Sequence, residues 1–495
     1  MLYLCVFLVA FALYATTASR GIQWQDPGSN ILRAMTGDPF NPLGLALCHP
    51  LHHWLGRVMV AANLFEPCLA VTLISALAAA VAVAVTCACV LRLTESLPAS
   101  VLAAASLGLA HTFWQMATLA ETYALAAALL SLECYFLIRF TGTRQVRYLL
   151  LMCLFNGLGI SNHLLALLTT PVVAVIVLLA ALDKIVRAKY VLGAVVIWLA
   201  GSSLYGGMVI AELARSGDWQ ATIHSALFGY AYADEVLNVT LSLRGLAISA
   251  AFVTLCFPNL LLPAGVHGIV RSGRLNIPRR VRRALLAGLI IHLVFVARYD
   301  IVDQHTFLVP AYVLLSIFGG VGFAVMLKLW PPHGRRIGLT AAVVLVVLTP
   351  VLYAVMPTVA REFDVLKSVA RDKPYRDDYV YLFTPWSVAE RSADMMSREA
   401  VTLAGKSGLV LVEDEMAEFA VRYRAIRDGL NDLRITSDIN PQLLVEAGGQ
   451  AGPVVLVPFK AGAPRIEAPG GTWQRIGDLY VLRAERKDPG DSSHP

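Results

Sequence analysis

Five short stretches of the chain carry side chains with chemical potential. Asp26, in Trp24-Gln-Asp-Pro-Gly28, is a carboxylate that could serve as general base, drawing a proton from an acceptor hydroxyl as it attacks; Asp-Pro-Gly is equally a good turn. His49-Pro-Leu-His52-His53-Trp54, followed by Arg57, gathers imidazoles, an indole and a guanidinium, suited to holding a phosphate or sugar or to a plain interfacial belt. His49 and His53 have i, i+4 zinc spacing, but Pro50 interrupts it and no carboxylate stands at a matching offset. In His111-Thr-Phe-Trp114-Gln-Met-Ala-Thr-Leu-Ala-Glu121-Thr-Tyr123, Glu121 falls just inside an apolar run, where an ionisable group marks a functional site or a structural pairing. Asn162-His163 ends another apolar run, either facing a cavity or capping a hairpin. Arg298-Tyr-Asp300-Ile-Val-Asp303-Gln304-His305-Thr-Phe307 sets an arginine beside two carboxylates, as an internal ion pair or as a ligand for a lipid phosphate.

These stretches are separated by apolar runs. The chain has 495 residues, 57% hydrophobic and 15% charged, with mean hydropathy +0.65, which excludes an ordinary soluble protein. Runs at 2–18, 69–91, 97–112, 119–140, 148–162, 165–182, 190–210, 245–270, 284–298, 307–328 and 337–356 are long enough for about eleven membrane crossings. No basic residue precedes the first run, which favours a retained helix over a cleaved leader. The basic residues sort to one side: Arg92; Arg139, Arg144 and Arg147; Lys184, Arg187 and Lys189; Arg271 to Arg283; Lys328, Arg335 and Arg336. By the positive-inside rule those loops and the N-terminus are cytoplasmic, and every chemically endowed stretch lies on the other side. The net charge of +6 therefore expresses topology, not nucleic-acid binding.

After Pro357 the sequence is of soluble type. A helix is expected over Thr358 to Arg371, then an aromatic, polar stretch from Tyr375 to Trp386, strands at 408–413, 433–437 and 453–458, and a helix over Glu415 to Arg427. No GxGxxG or GxxxxGK[ST] follows a strand, so a nucleotide role has no support. Of the eight cysteines, Cys48 and Cys68 flank the first outer loop and could pair; no CxxC or Cys/His metal spacing occurs. The expected architecture is an all-α polytopic membrane bundle (1–356), a small extracytoplasmic α/β domain (357–486) and a disordered tail (487–495).

The order Asp26-Pro-Gly28, His49-Pro50, Thr112-Phe-Trp114, Glu121-Thr-Tyr123-Ala-Leu125 and Gly157-Leu-Gly-Ile-Ser-Asn-His163 resembles the GT-C family typified by the vertebrate transmembrane protein O-mannosyltransferase of plexins, with many bacterial members of unknown function. The resemblance covers most of the first 175 residues, with echoes at Asp303-Gln-His-Thr-Phe307, Tyr375-Arg-Asp-Asp378 and Pro385-Trp386. It implies a GT-C fold with interfacial helices in the first outer loop. It also implies transfer of a monosaccharide, mannose in the best-known case, from a polyprenyl-phosphate donor to a hydroxyl on a protein, glycan or lipid. By carry-over Asp26 is the catalytic carboxylate; His49, Trp114, Glu121, Tyr123, Asn162 and His163 line the donor and acceptor cavity. Arg57 or Arg298 stands near the phosphate, with Asp303 and His305 beside it. No cofactor is assigned, and a divalent metal is left open. The chain departs from the family at Ser29 and Asn30, where an acidic residue is common, and at Leu51-His52-His53, where Pro-Gly and an aromatic usually follow His-Pro. Two other classes compete: a lipid or glycan transporter, which calls for repeats that the sequence lacks, and a non-catalytic envelope assembly protein. The expected location is a bacterial inner membrane.

Overall fold

A computed structural model describes residues 1–484 except 231, 300, 302, 368, 369, 450, 451 and 470. The expected tail at 487–495 and Asp300 lie outside the described residues. The chain opens with α1 (Leu2–Thr17), then, on the side of the bundle that carries the C-terminal sheet and is called outer for that reason, a first segment with α2 (Gln25–Thr36) and α3 (Pro50–Ala61). The bundle continues through α4 (Pro67–Thr94), α5 (Leu97–Gly108), α6 (His111–Thr118), α7 (Tyr123–Thr143), α8 (Val146–Asn162), α9 (Thr170–Leu182) and α10 (Ala188–Ser216). After the outer helices α11 (Trp219–Phe228) and α12 (Ala233–Leu237) come α13 (Leu243–Cys256), α14 (Leu261–Arg271), α15 (Arg279–Arg298), α16 (Val309–Leu329) and α17 (Pro332–Glu362).

Among the described residues, five helical stretches are long and apolar enough to cross a membrane: α4, α7, α10, Gln304–Leu329 and α17. The number rises to seven if each of two bent pairs is one span. The run expected as a single helix over 97–112 bends by 61° between α5 and α6, and that over 245–270 by 108° between α13 and α14. Neighbours take up the backbone groups that the first break frees, the condition for breaking a helix away from water. Tyr14 Oη donates to the Gly108 carbonyl at 2.9 Å, and the Thr112 N–H reaches Cys256 Sγ at 3.4 Å. At the second break Pro258 brings no donor and Asn259 Oδ1 accepts the Leu261 N–H at 2.9 Å. The apolar helices α1, α8 and α9 are shorter, and α15 opens on four arginines.

The outer region carries α18 (Asp378–Phe383), α19 (Ser392–Ala404), β1 (Leu409–Val412), α20 (Glu415–Arg427), β2 (Arg434–Thr436), α21 (Pro441–Gly449), β3 (Val454–Val457), β4 (Gly471–Ile476) and β5 (Leu479–Ala484). The sheet order is β2-β1-β3-β5-β4, parallel across β2-β1-β3 and antiparallel beyond. Buried apolar residues on successive positions of β1 and β3 fit strands covered on both faces. Val410, Val412, Val455 and Val457 pack with α19 and α20, while Leu409, Leu411, Val454 and Leu456 join Tyr480 on the opposite face.

One core is shared between the two regions. Ile22, Trp24, Ile31 and Leu32 of the first outer segment, Cys68 and Val71 of α4, and Met396, Ala420, Val421 and Tyr423 of the outer region form a single buried cluster. So α2 lies between bundle and sheet domain, packed on α20. Trp24 Nε1 donates to Ser392 Oγ at 2.7 Å. A Cβ on Gly28 would stand 2.4 Å from the Gln23 carbonyl oxygen and 3.7 Å from Phe419 Cβ, so this close seat admits only glycine. Cys48 and Cys68, which could have paired, are both free and buried.

Candidate functional site

The polar face of α2 is set by helical spacing: Asp26, Asn30 and Arg33 stand at i, i+4 and i+7, on one side of two turns. Asn30 Nδ2 donates to the Ala120 carbonyl at 3.0 Å, and Gln23 Oε1 accepts the Ala120 N–H at 2.9 Å. These bonds fasten the link between α6 and α7 to the first outer segment. From the other side Ser75 Oγ of α4 donates to the Glu121 carbonyl at 2.8 Å. Glu121, expected just inside a span, is in this link and buried.

Three carboxylates lie within electrostatic reach of one another. Asp26 feels the charge of Asp303, and Glu121 feels both Asp26 and Asp303. Burial pushes the Asp26 carboxyl up to about 6, the Asp303 charge adds to the effect, and the Arg33 guanidinium opposes it. Asp303 is likewise raised by burial, with Arg371 acting against the rise. A carboxylate poised near neutrality is a usable base. Among the described residues no group of three or more His, Cys, Asp or Glu side chains is close enough to hold a metal ion.

Beside the carboxylates stands an aromatic wall. The rings of His49 and His163 stack at 4.8 Å, Tyr123 lies 5.2 Å from His163, and Phe307 closes on Tyr123 at 5.3 Å and on His163 at 5.8 Å. His49 is held in a left-handed conformation (φ 48°) ahead of α3, with Nδ1 2.9 Å from the Asn162 carbonyl oxygen. Burial keeps this imidazole neutral by lowering its proton affinity, so Nδ1 is the donor and Nε2 is left as an acceptor. Asn162 Nδ2 donates to the Thr122 carbonyl at 3.0 Å, joining the outer ends of α8 and α7. His163 Nδ1 accepts the Leu165 N–H at 3.1 Å, which leaves its Nε2 as the protonated nitrogen.

Other expected residues take different places. Arg57 Nη1 donates to the Met35 carbonyl at 2.8 Å and the Ala34 carbonyl at 3.3 Å, capping the C-terminal end of α2. Arg298 Nη1 bonds the carbonyls of Val236 and Asn238 and its guanidinium lies 5.0 Å from the Phe295 ring. Both arginines thus serve main-chain carbonyls and not the carboxylate cluster. Trp114 donates from Nε1 to Thr17 Oγ1 at 3.0 Å and packs at 5.5 Å on Trp386, tying α6 to the outer region. His305 stacks on Phe252 at 4.2 Å, away from the histidine pair.

Two cations outside the expected set, Arg33 and Arg371, stand near the carboxylates. Arg33 is buried and bonds the carbonyls of Pro39 and Cys48, the latter at 2.8 Å, with Nε unpartnered among the described residues. Arg371 is within electrostatic reach of Asp303 and His305. The i+7 spacing from Asp26 could have signalled Arg33; nothing local signals Arg371, which the tertiary fold delivers.

A helical membrane bundle with a first outer segment of two short helices under an outer sheet domain makes up a GT-C-like fold. Residues 47–186 match the family model described as the protein O-mannosyl-transferase TMEM260 N-terminal domain, the family resembled in sequence. That match takes in His49, Glu121, Tyr123, Asn162 and His163 and begins after Asp26. The fold is similar to the crystal structure of ArnT from Cupriavidus metallidurans bound to undecaprenyl phosphate, with TM-score 0.61, 15% identity and 97% of each chain covered. The apo state of the same protein matches with TM-score 0.60, 16% identity and 97% of each chain covered. No curated protein sequence matches the chain.

Proposed function

We propose that the chain is a membrane glycosyltransferase that moves a monosaccharide from a polyprenyl-phosphate donor to an acceptor hydroxyl on a protein, glycan or lipid. The observation that carries this reading is the convergence of Asp26 on Glu121 and Asp303 beside the His49–His163 wall, at the junction of bundle and outer domain. Asp26 takes the acceptor's proton as its oxygen attacks the anomeric carbon; the bond from that carbon to the phosphate oxygen breaks, and polyprenyl phosphate leaves. Arg371, whose side chain makes no hydrogen bond or ion pair among the described residues, is the cation free to meet the leaving phosphate. The undecaprenyl phosphate held by the ArnT neighbour supports a lipid-phosphate donor.

In this reading the bundle, residues 1–356, crosses a bacterial inner membrane about eleven times, counting α1, α8, α9 and α15 with the longer spans and the two bent pairs. The arginine-rich loops are cytoplasmic and the outer region, residues 357–486, with the site beneath it, faces the periplasm. The test is transfer from polyprenyl-phosphate mannose and its analogues by purified protein and by Asp26→Asn. Loss of about 10²- to 10⁴-fold is expected from removing a general base. Undiminished transfer by a folded Asp26→Asn protein removes Asp26 from the mechanism, whereas absence of transfer by the wild-type protein favours an envelope assembly role or transport.

A further inference from the structure

Another buried carboxylate lies deeper in the bundle and outside the chemistry just described. Glu133, in the middle of α7, is only 8% exposed. Its Oε2 accepts from Asn156 Nδ2 at 3.0 Å and from Thr169 Oγ1 at 3.2 Å. The same Asn156 Nδ2 lies 3.2 Å from the Ala166 carbonyl, and the same oxygen lies 3.2 Å from Thr169 Oγ1 and 3.1 Å from Thr170 Oγ1. Asn156 Oδ1 in turn accepts from Thr170 Oγ1 at 2.9 Å and Trp198 Nε1 at 2.9 Å. Four helices, α7 to α10, therefore meet at Asn156, whose amide nitrogen reaches the Ala166 carbonyl.

That carbonyl belongs to the 3-10 turn Leu164–Leu168, which follows His163 directly and folds back on α8. The return is tight: a Cβ on Gly159 would stand 2.7 Å from Ala166 Cβ. The turn in turn fixes the imidazole, because the Leu165 N–H donates to His163 Nδ1 and the Ala166 N–H to the His163 carbonyl. We propose that Glu133 is a positioning residue: through Asn156, Thr169 and the Ala166 carbonyl it holds the 164–168 turn, and with it the ring plane and tautomer of His163 in the aromatic wall. A buried polar network that is fully partnered can fix one local geometry in this way, and second-layer partners commonly orient the ring that meets the ligand. The catalytic part of this inference rests on the glycosyltransferase reading; the structural part does not.

The experiment uses full-length protein in nanodiscs with Glu133→Ala, Glu133→Gln, Thr169→Val and His163→Ala, polyprenyl-phosphate mannose as donor probe, and hydrogen exchange over residues 160–170. Glu133→Ala should speed exchange at the 165 and 166 amides, while Glu133→Gln, which keeps an acceptor oxygen, should stay near wild type. If Glu133→Ala fails to fold, Thr169→Val supplies the same reading. Transfer should fall about tenfold or more in Glu133→Ala, as expected when a site group is misplaced by around an ångström. Combined with His163→Ala, the second loss should vanish, because both changes disable the same ring. Unchanged exchange in Glu133→Ala, or losses that simply multiply in the double variant, overturns the positioning role. If wild-type protein transfers nothing, the glycosyltransferase reading falls and the exchange measurement still decides whether Glu133 holds the turn.

Discussion

His49 and His163 face each other with ring centroids 4.8 Å apart and planes 21° from parallel. One precedes α3 in the first outer segment, the other follows α8, and the Asn162 carbonyl accepting from His49 joins the two chains beside the stack. Their exposed chemistry differs: His49 presents an acceptor Nε2 and His163 a donor Nε2–H. A ligand hydroxyl between them can give to one and take from the other. His49→Phe, which keeps the stack and removes the nitrogens, should therefore raise the KM for donor or acceptor about tenfold, the worth of one hydrogen bond of about 1.4 kcal/mol. An unchanged KM and kcat would confine His49 to packing.

The pH profile offers a separate check. A base works deprotonated, and Asp26 is raised to about 6, so kcat/KM should climb with pH up to about 6 and level off above it. Since the Asp303 charge contributes to the rise, Asp303→Asn should move that limb to lower pH. A limb that stays in place, measured on folded protein, would assign it to another group.

Gly28→Ala pushes a methyl against the Gln23 carbonyl in a seat closed by Phe419. Overpacking of this kind costs about 1–3 kcal/mol, and because the displaced helix carries Asp26, transfer should drop alongside Tm. A variant with wild-type Tm would show that α2 has room to shift.

Arg57→Gln separates two expectations for one residue. With the guanidinium on the Ala34 and Met35 carbonyls, its loss should lower stability by about 1 kcal/mol while the donor KM of the folded fraction holds. A large rise in donor KM would return Arg57 to the ligand.

The ion pair Arg427–Glu66 joins the outer region to the start of α4 at 2.6 Å, but both side chains are more than 40% exposed. Such pairs contribute about 0–1 kcal/mol. Arg427→Ala should barely move Tm, while a polar residue at buried Val421 or Ile31 should move it strongly.

Much of this was legible in the sequence. Apolar run lengths located the helices, and β1, α20, β2 and β3 fall where alternating strand and helix signals placed them, within a residue or two at each end. The hairpin of β4 and β5 was missed although Gly477-Asp478, with Gly477 at φ 57°, is a two-residue turn signal between alternating strands. The bend after Gly108 was not legible, because what permits it is a phenol and a thiol brought from elsewhere, whereas the bend after Cys256 stands on its own Pro258-Asn259. Among candidate site residues, Asp26, Glu121 and the two histidines stand out as polar groups beside apolar runs. Arg57 and Arg298 stood out for the same reason and went to backbone carbonyls, since sequence shows a charge and not the partner nearest to it in the fold.

The shared core around Ile31, Trp24 and Val421 has a consequence for descent. A relative's outer sheet grafted onto this bundle would bring a foreign surface under the helix that bears Asp26, so the two regions must be inherited together or re-fitted at that seam. Variation among relatives should therefore collect at exposed positions of the two edge strands, β2 and β4, and spare the ground beneath α2, Ile435 and Ile476 included.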